Sequence, residues 1–336
     1  MNRTQADIKE IIEKDSLFLP LKGSTVLVTG ATGLIGSMLV RSLLAANEKY
    51  DLDIKVIGQI RNYKKAGDLY GERREHIDFV TDSHVQCDYI IHTASPTASR
   101  FFVEHPVETI KSSVGSTIEI LETARTNNAV VVYLSSMEQY GVPYEAGQMM
   151  TEDKIGIIDH LNIRASYSES KRLCECLCVS YAREYGVNVK IARLAQTFGA
   201  GIPLTDNRMP MQFAKAAVAG NDIILHTEGK SISNFVYLSD AITGILTILE
   251  NGDIGQAYNV CNDNETRSVR DIANLVVREV ADGKIKVIIE KKENMGYAPD
   301  NTMRLSAGKL RGLGWNANVG MQEAYRRLVD YLIECH

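Results

Sequence analysis

Apolar residues recur along this chain in two rhythms. Short β-branched runs, "STVLVTG", "IKVIGQI", "IDFVTD", "CDYIIHTAS" and "AVVVYLSS", read as strands; between them "LIGSMLVRSLLAANE" and "HPVETIKSSVGSTIEILETARTNN" carry helical spacing. Strands that alternate with helices predict an α/β protein with a doubly wound parallel sheet. The pattern fills residues 21–195, and residues 235–262 are expected to return to the same unit. Ahead of it, Ile8, Ile11 and Ile12 predict a short amphipathic helix in an N-terminal extension of residues 1–20, a packing appendage. Beyond Arg193 the texture changes to "TFGAGIPLTDNRMP" and mixed short elements. A smaller α/β unit is expected over most of residues 196–336, closed by a terminal helix in "LRGLGWNANVGMQEAYRRLVDYL".

Composition narrows the classes. The 336 residues are 45% hydrophobic and 24% charged, enough for a full core in one large or two smaller domains. A formal net charge of −5 with no basic stripe gives no reason to expect nucleic acid as partner. Apolar runs such as "VVVYL" fall far short of the roughly 20 residues that span a bilayer. The polar N-terminus predicts no signal peptide, hence a cytoplasmic protein. Cys174, Cys176 and Cys178 alternate along one predicted helix, which splays their thiols apart and suits neither a disulfide nor a zinc site, so they are read as core or surface thiols. The seven histidines form no His-x-His or HExxH pattern, and no metal is expected.

"TGATGLIG" places Gly30, Gly33 and Gly36 where the first strand meets the first helix. Glycines there let a dinucleotide pyrophosphate approach the backbone, and the helix N-terminus supplies N–H groups and positive dipole to hold it. The second strand ends Gln59, Ile60, Arg61, without the acid that holds the adenosine ribose of NAD. Arg61, helped by Lys64 or Lys65, is a candidate for a ribose 2′-phosphate, so NADP stands beside NAD; a solvated basic loop explains these residues equally well. Asp82, closing "IDFVTD", is placed to accept from the adenine amino group.

In "ASYSESKRLCE", Tyr167 and Lys171 stand four apart and share one helix face. A phenol is a poor base at its ordinary pKa of about 10, but a nearby ammonium and a cationic nicotinamide favour the phenolate. Tyr167 is then able to take a hydroxyl proton while hydride leaves the same carbon. Ser136, in "YLSSMEQYG", sits just past a strand that ends at the cofactor, where its hydroxyl shares a hydrogen bond with the reacting oxygen.

With these residues in place, the chain resembles the extended short-chain dehydrogenase/reductase family, the nucleotide-sugar epimerases and dehydratases. "TGATGLIG", "DYIIHTASPTA", "SSMEQYG", "YSESK", "FVYLSDAITGI", "QAYNV" and "KLRGLGW" occur in the family's order from Gly23 onward. The resemblance implies a Rossmann domain, a C-terminal domain that grips a nucleoside diphosphate sugar, and a catalytic trio of Ser136, Tyr167 and Lys171. It implies further that Gly30, Thr32, Gly33, Leu34, Ile35, Gly36, Ala94, Ser95 and Lys171 hold the dinucleotide. Ser95, Thr97, Gln196, Arg208 and Gln212 are the matching positions on the substrate side. A homodimer is implied too, with the Tyr167 helix and its neighbour packed into a four-helix bundle; apolar Leu173 and Leu177 are compatible with this and with an intrachain core.

Within the family, "HTASPTASRFFVEHPVETIK" and "NIRASYSESKR" are similar to the UDP-glucuronate decarboxylases. Glu138 matches a glutamate of those decarboxylases and of the 4,6-dehydratases. A 4-ketone makes the C3 and C5 protons acidic, and a carboxylate beside it assists proton abstraction or loss of a C5 carboxylate. The 4,6-dehydratases carry an acid next to that glutamate, where this chain has Met137. Where relatives have an arginine on the sugar diphosphate, this chain reads Ser233 and Asn234, and Gln196 replaces a common asparagine. The expected activity is an NAD(P)-dependent, UDP-glucuronate decarboxylase-like reaction through a transient 4-keto sugar. Epimerisation, 4,6-dehydration, net reduction by NADPH and a non-catalytic dinucleotide sensor are the alternatives.

Overall fold

The computed structural model describes residues 1–71, 75–96, 99–145, 147–291 and 301–335. In chain order its elements are α1 (Arg3–Ile12), β1 (Thr25–Thr29), α2 (Leu34–Tyr50), β2 (Lys55–Gln59), α3 (Tyr63–Tyr70), β3 (Ile77–Val80), β4 (Tyr89–His92), α4 (Ser99–Glu104), α5 (Pro106–Asn127), β5 (Val130–Ser136), β6 (Met149–Met150), α6 (Ala165–Tyr185) and β7 (Val189–Leu194). There follow β8 (Gln196–Phe198), α7 (Met209–Ala219), β9 (Ile223–Leu225), β10 (Ile232–Tyr237), α8 (Leu238–Asn251), β11 (Ala257–Val260), β12 (Asn262–Ser268), α9 (Val269–Glu279), β13 (Val287–Ile289), β14 (Arg304–Leu305), α10 (Gly308–Arg311) and α11 (Met321–Glu334).

Seven parallel strands form the main sheet in the order β3-β2-β1-β4-β5-β7-β11. Alternate residues bury on opposite faces, as the two-residue period of a strand demands. Val26, Val28, Val132 and Leu134 join a core with Leu39, Leu43, Ile245 and Leu249 of α2 and α8. Leu27, Val131 and Tyr133 face Ile120, Leu121, Cys174 and Cys178 of α5 and α6. The strand order reverses between β1 and β4, and in such sheets the crevice beyond the carboxyl ends at that point is where ligands bind.

A second cluster, with Phe198, Phe213, Phe235, Ile272 and Tyr325, lies between β8, β10 and helices α7, α9 and α11. Here β10 pairs with β8 in parallel and β12 antiparallel, while α8 and β11 return to the main sheet. Helix α1 is anchored by its Asp7 carboxylate, fully buried, which accepts from Tyr237 Oη (2.7 Å), Arg3 Nη2 (2.7 Å) and Arg327 Nη1 (3.2 Å). The C-terminal segment expected to be one helix is two. α10 ends at Arg311, Gly314 takes a φ of 89° in the turn that follows, buried Trp315 donates to Asp240 O (3.2 Å) and Thr243 Oγ1 (3.1 Å), and α11 starts after Gly320. Of the three alternating cysteines, Cys174 and Cys178 are core and Cys176 is exposed; all are free thiols.

Candidate active site

The crevice floor is built by backbone. β1 runs into Gly30, whose φ of +63° lies in the left-handed region and whose added Cβ would stand 3.0 Å from Ala94 Cα. A Cβ on Gly36 would collide with the Gly30 carbonyl, so only glycine lets α2 pack this close to β1. Gly33 N-caps α2 with no side chain over the helix end, which leaves the first-turn N–H groups of Leu34, Ile35 and Gly36 without intrahelical acceptors. Thr93 Oγ1 donates to Thr29 O (2.6 Å) and Ala94 N–H to Thr29 Oγ1 (3.1 Å), tying the end of β4 to that of β1. This glycine-lined, donor-rich floor fits a dinucleotide pyrophosphate.

Arg61 follows β2 in the open, with Lys64 and Lys65 exposed on α3. Asp82 is exposed as well, but its Oδ1 accepts from the His84 backbone (2.9 Å) and ring (2.7 Å), which holds its carboxyl below the usual range. Its carboxylate therefore caps the turn after β3. Thr32 is half-buried in the glycine loop, and Ser95 is half-buried with its hydroxyl on Pro96 O (3.3 Å). Thr97 lies outside the described residues.

Beside the crevice stand the four side chains expected to be catalytic. β5 ends at Ser136, and one tight turn over Met137–Tyr140 carries Glu138. Ser136 Oγ accepts from the Glu138 N–H (3.2 Å), and the same serine acts on the Tyr167 phenol, holding it down against burial. The Tyr167 ring, 8% exposed, stacks on Phe102 with centroids 4.2 Å apart and planes 6° from parallel. One turn along α6, buried Lys171 donates from Nζ to Leu134 O (2.7 Å) and lies 4.9 Å from the Tyr133 ring centroid and 5.8 Å from that of Tyr167.

Burial governs the electrostatics here. It pushes the Glu138 carboxyl up, opposed by the Arg164 guanidinium. It pushes the Lys171 ammonium down to about 8, opposed by Cys174, Glu175 and Cys178. Tyr167 departs from the expectation that Lys171 lowers it. Burial drives the phenol upward, with Glu138 in the same direction and Ser136 and Arg208 against, and Lys171 is not among the groups that move it. Its ammonium is instead engaged by the Leu134 carbonyl.

On the substrate side, Arg208 N-caps α7, donates from Nη1 to Thr197 O (3.2 Å), and acts on the Tyr167 phenol from there. Its guanidinium also pairs with Asp206 (2.9 Å). Gln196 is exposed at the start of β8, and the Gln212 amide turns back to Asn207 O (2.5 Å). Ser233 Oγ contacts Met137 Sδ at 3.8 Å, so the two departures from the family pattern meet in space. Arg164 and Phe102 were not singled out from sequence. The first had a signal, a lone cation three residues before Tyr167; the second had none, because the stacking joins segments far apart in the chain.

The fold and its glycine-lined crevice are those of a dinucleotide-dependent α/β enzyme. Residues 26–261 match the NAD dependent epimerase/dehydratase family. UDP-glucuronic acid decarboxylase 6 of Arabidopsis thaliana is 32% identical over 302 residues, covering 89% of this chain and 85% of the relative. UDP-glucuronic acid decarboxylase 1 of Danio rerio is 28% identical over 333 residues, 96% of this chain and 74% of the relative. The crystal structure of UDP-glucose 4-epimerase from Thermotoga maritima with UDP-glucose has the same fold, with a TM-score of 0.77 at 19% identity over 93% of this chain and 99% of that one. The chain belongs to the NAD-dependent epimerase/dehydratase family.

Proposed function

We propose that this protein removes the C6 carboxylate of UDP-glucuronate through a transient 4-keto sugar. The observation that carries the reading is a half-buried carboxyl, Glu138, pushed toward its protonated form and acting together with Ser136 on the Tyr167 phenol beside a dinucleotide crevice. The dinucleotide, when bound, supplies a hydride acceptor and donor and a positive charge; the residues that would hold it are Gly30, Gly33 to Gly36, Ala94 and Lys171. Tyr167 takes the C4 hydroxyl proton as hydride leaves that carbon, and Ser136 donates to the oxygen as it becomes a carbonyl. The 4-ketone then accepts the electron pair of the C5–C6 bond as carbon dioxide departs. Glu138, held protonated to higher pH by burial, delivers the proton to C5; hydride returns to C4 and Tyr167 gives the C4 oxygen back its proton, which restores the alcohol.

Arg208, a cation that acts on the Tyr167 phenol from the N-terminus of α7, takes the substrate diphosphate in this reading, since Ser233 carries no charge to do so. Incubation with a panel of UDP-, dTDP-, CDP- and GDP-sugars and NAD or NADP, read by product mass, is expected to show loss of carbon dioxide from UDP-glucuronate alone, with catalytic cofactor. A requirement for stoichiometric NADPH would instead establish a net reductase. Loss of water or an unchanged mass with inverted stereochemistry would establish a dehydratase or an epimerase.

The same reading includes a homodimer built from α5 and α6. Val107, Ile110 and Ile118 of α5 and Leu173 and Val179 of α6 are exposed, whereas Leu177 is half-buried against the intrachain core. Sedimentation is expected to show a dimer that Leu173→Glu weakens by about tenfold or more. A wild-type monomer at micromolar concentration would remove the dimer.

A further inference from the structure

Behind the four reactive side chains lies a buried polar network that no step above uses. Ser135, next to Ser136 on β5, donates from Oγ to Glu175 Oε1 at 2.5 Å. Glu175 stands one helical turn beyond Lys171 on α6 and receives Arg193 of β7 at both oxygens, Nη2 to Oε2 at 2.7 Å and Nε at 3.0 and 3.1 Å. Arg193 Nη1 reaches on to Tyr140 Oη (2.8 Å), at the far end of the turn that carries Glu138, and to Glu152 O (2.9 Å). Tyr140 Oη in turn donates to Asn259 Oδ1 (2.8 Å) on β11. Arg172, also on α6, completes the hold by donating to the carbonyls of Gln139 (2.6 Å), Tyr140 (3.1 Å) and Gly156 (2.8 Å).

We propose that Glu175 is a positioning residue: through Ser135 and Arg193 it locks the turn bearing Ser136 and Glu138 onto the α6 face bearing Tyr167 and Lys171. The inference rests on the site reading above, which has these four residues react together. A buried ion pair is weak evidence for stability, since hydrophobic replacements of equal volume often serve as well. Its value here is geometric, because Ser135, on the strand that leads into the turn, and Tyr140, at the turn's far end, are held by the two partners of one pair.

The pair also has an electrostatic consequence. Lys171 is faced by Tyr167, Cys174, Glu175 and Cys178 of its own helix, by Tyr133 of β5 and by His92 of β4. Burial pushes the His92 imidazole down to about 3 and the Cys178 and Tyr133 groups far up, so these three are neutral. Of the groups that act upward on Lys171, Glu175 carries the carboxylate. Removing it lowers the pH at which the ammonium is lost.

The test removes both charges together, in Glu175→Met with Arg193→Met, so that neither is left buried alone. With ε-carbon-13 lysine, and the Lys171 signal assigned by its loss in Lys171→Met, the wild-type signal should titrate near 8. In the double variant the midpoint should fall by about one pH unit. A folded double variant with an unshifted midpoint would overturn the proposal. Ser135→Ala keeps the pair and cuts only its link to the turn. On whichever nucleotide sugar the wild type converts, its kcat should fall by about tenfold, with KM and dinucleotide affinity unchanged; a kcat within about twofold of wild type would equally overturn it. Absence of carbon dioxide release by the wild type speaks against the decarboxylase reading and leaves the lysine titration to decide this one.

Discussion

Tyr167→Phe is expected to lower turnover by about a thousandfold while leaving dinucleotide binding and folding intact. The ring that stacks on Phe102 at 4.2 Å is retained, so packing is conserved. What is lost is the phenol hydroxyl on which Ser136, Glu138 and Arg208 act. Because burial drives the phenol upward, the resting tyrosine is protonated, and the base forms only as the positive charges of the loaded site offset that burial. Steady-state kcat with parallel measurement of dinucleotide affinity by fluorescence separates the outcomes. A loss of less than about tenfold would remove Tyr167 as the group that takes the C4 proton.

Glu138→Gln is expected to abolish carbon dioxide release, by about a hundredfold or more, yet to raise the thermal midpoint. The sign of the stability change follows from linkage. The folded-state pKa of Glu138 lies above its unfolded value, so its contribution to stability is fully present below about 4.5 and is lost as pH rises through the raised pKa. At neutral pH the carboxyl is therefore a burden that glutamine relieves; each kcal/mol relieved moves the midpoint of a chain this size by roughly 2 °C. The same sign governs activity, since a proton donor to C5 is lost on the alkaline side. A glutamine variant that still releases carbon dioxide at near wild-type rate would remove Glu138 as the donor of the C5 proton.

Much of this was legible in the chain because its signals are local. The strand–glycine–helix unit around Gly30 to Gly36 combines a two-residue period, a turn only glycine can make, and a helical period, all within one stretch. The four-residue spacing of Tyr167 and Lys171 likewise becomes one helix face without help from the rest of the fold. The C-terminal break was misread because Gly312 and Gly314 were absorbed into a periodic run, whereas the buried Trp315 indole pulls the chain toward α8. Nonlocal effects were invisible for a related reason. That Phe102 lies under Tyr167 and that Lys171 serves the Leu134 carbonyl are consequences of tertiary packing. The pairing of Ser135, Glu175 and Arg193 joins β5, α6 and β7; Ser135 and Glu175 stand inside the stretches read as chemical, but their meeting through Arg193 is set by tertiary packing.

The central claim is a decarboxylation that passes through C4 oxidation and ends with a proton placed at C5. Its most direct test is UDP-glucuronate labelled with carbon-13 at C6, incubated with the pure protein and NAD in deuterated water and followed by proton and carbon spectra. The account predicts labelled carbon dioxide and a UDP-pentose that carries one deuteron at C5, with no net change in the dinucleotide. UDP-glucuronate recovered intact, while another nucleotide sugar is epimerised or dehydrated by the same preparation, would contradict it.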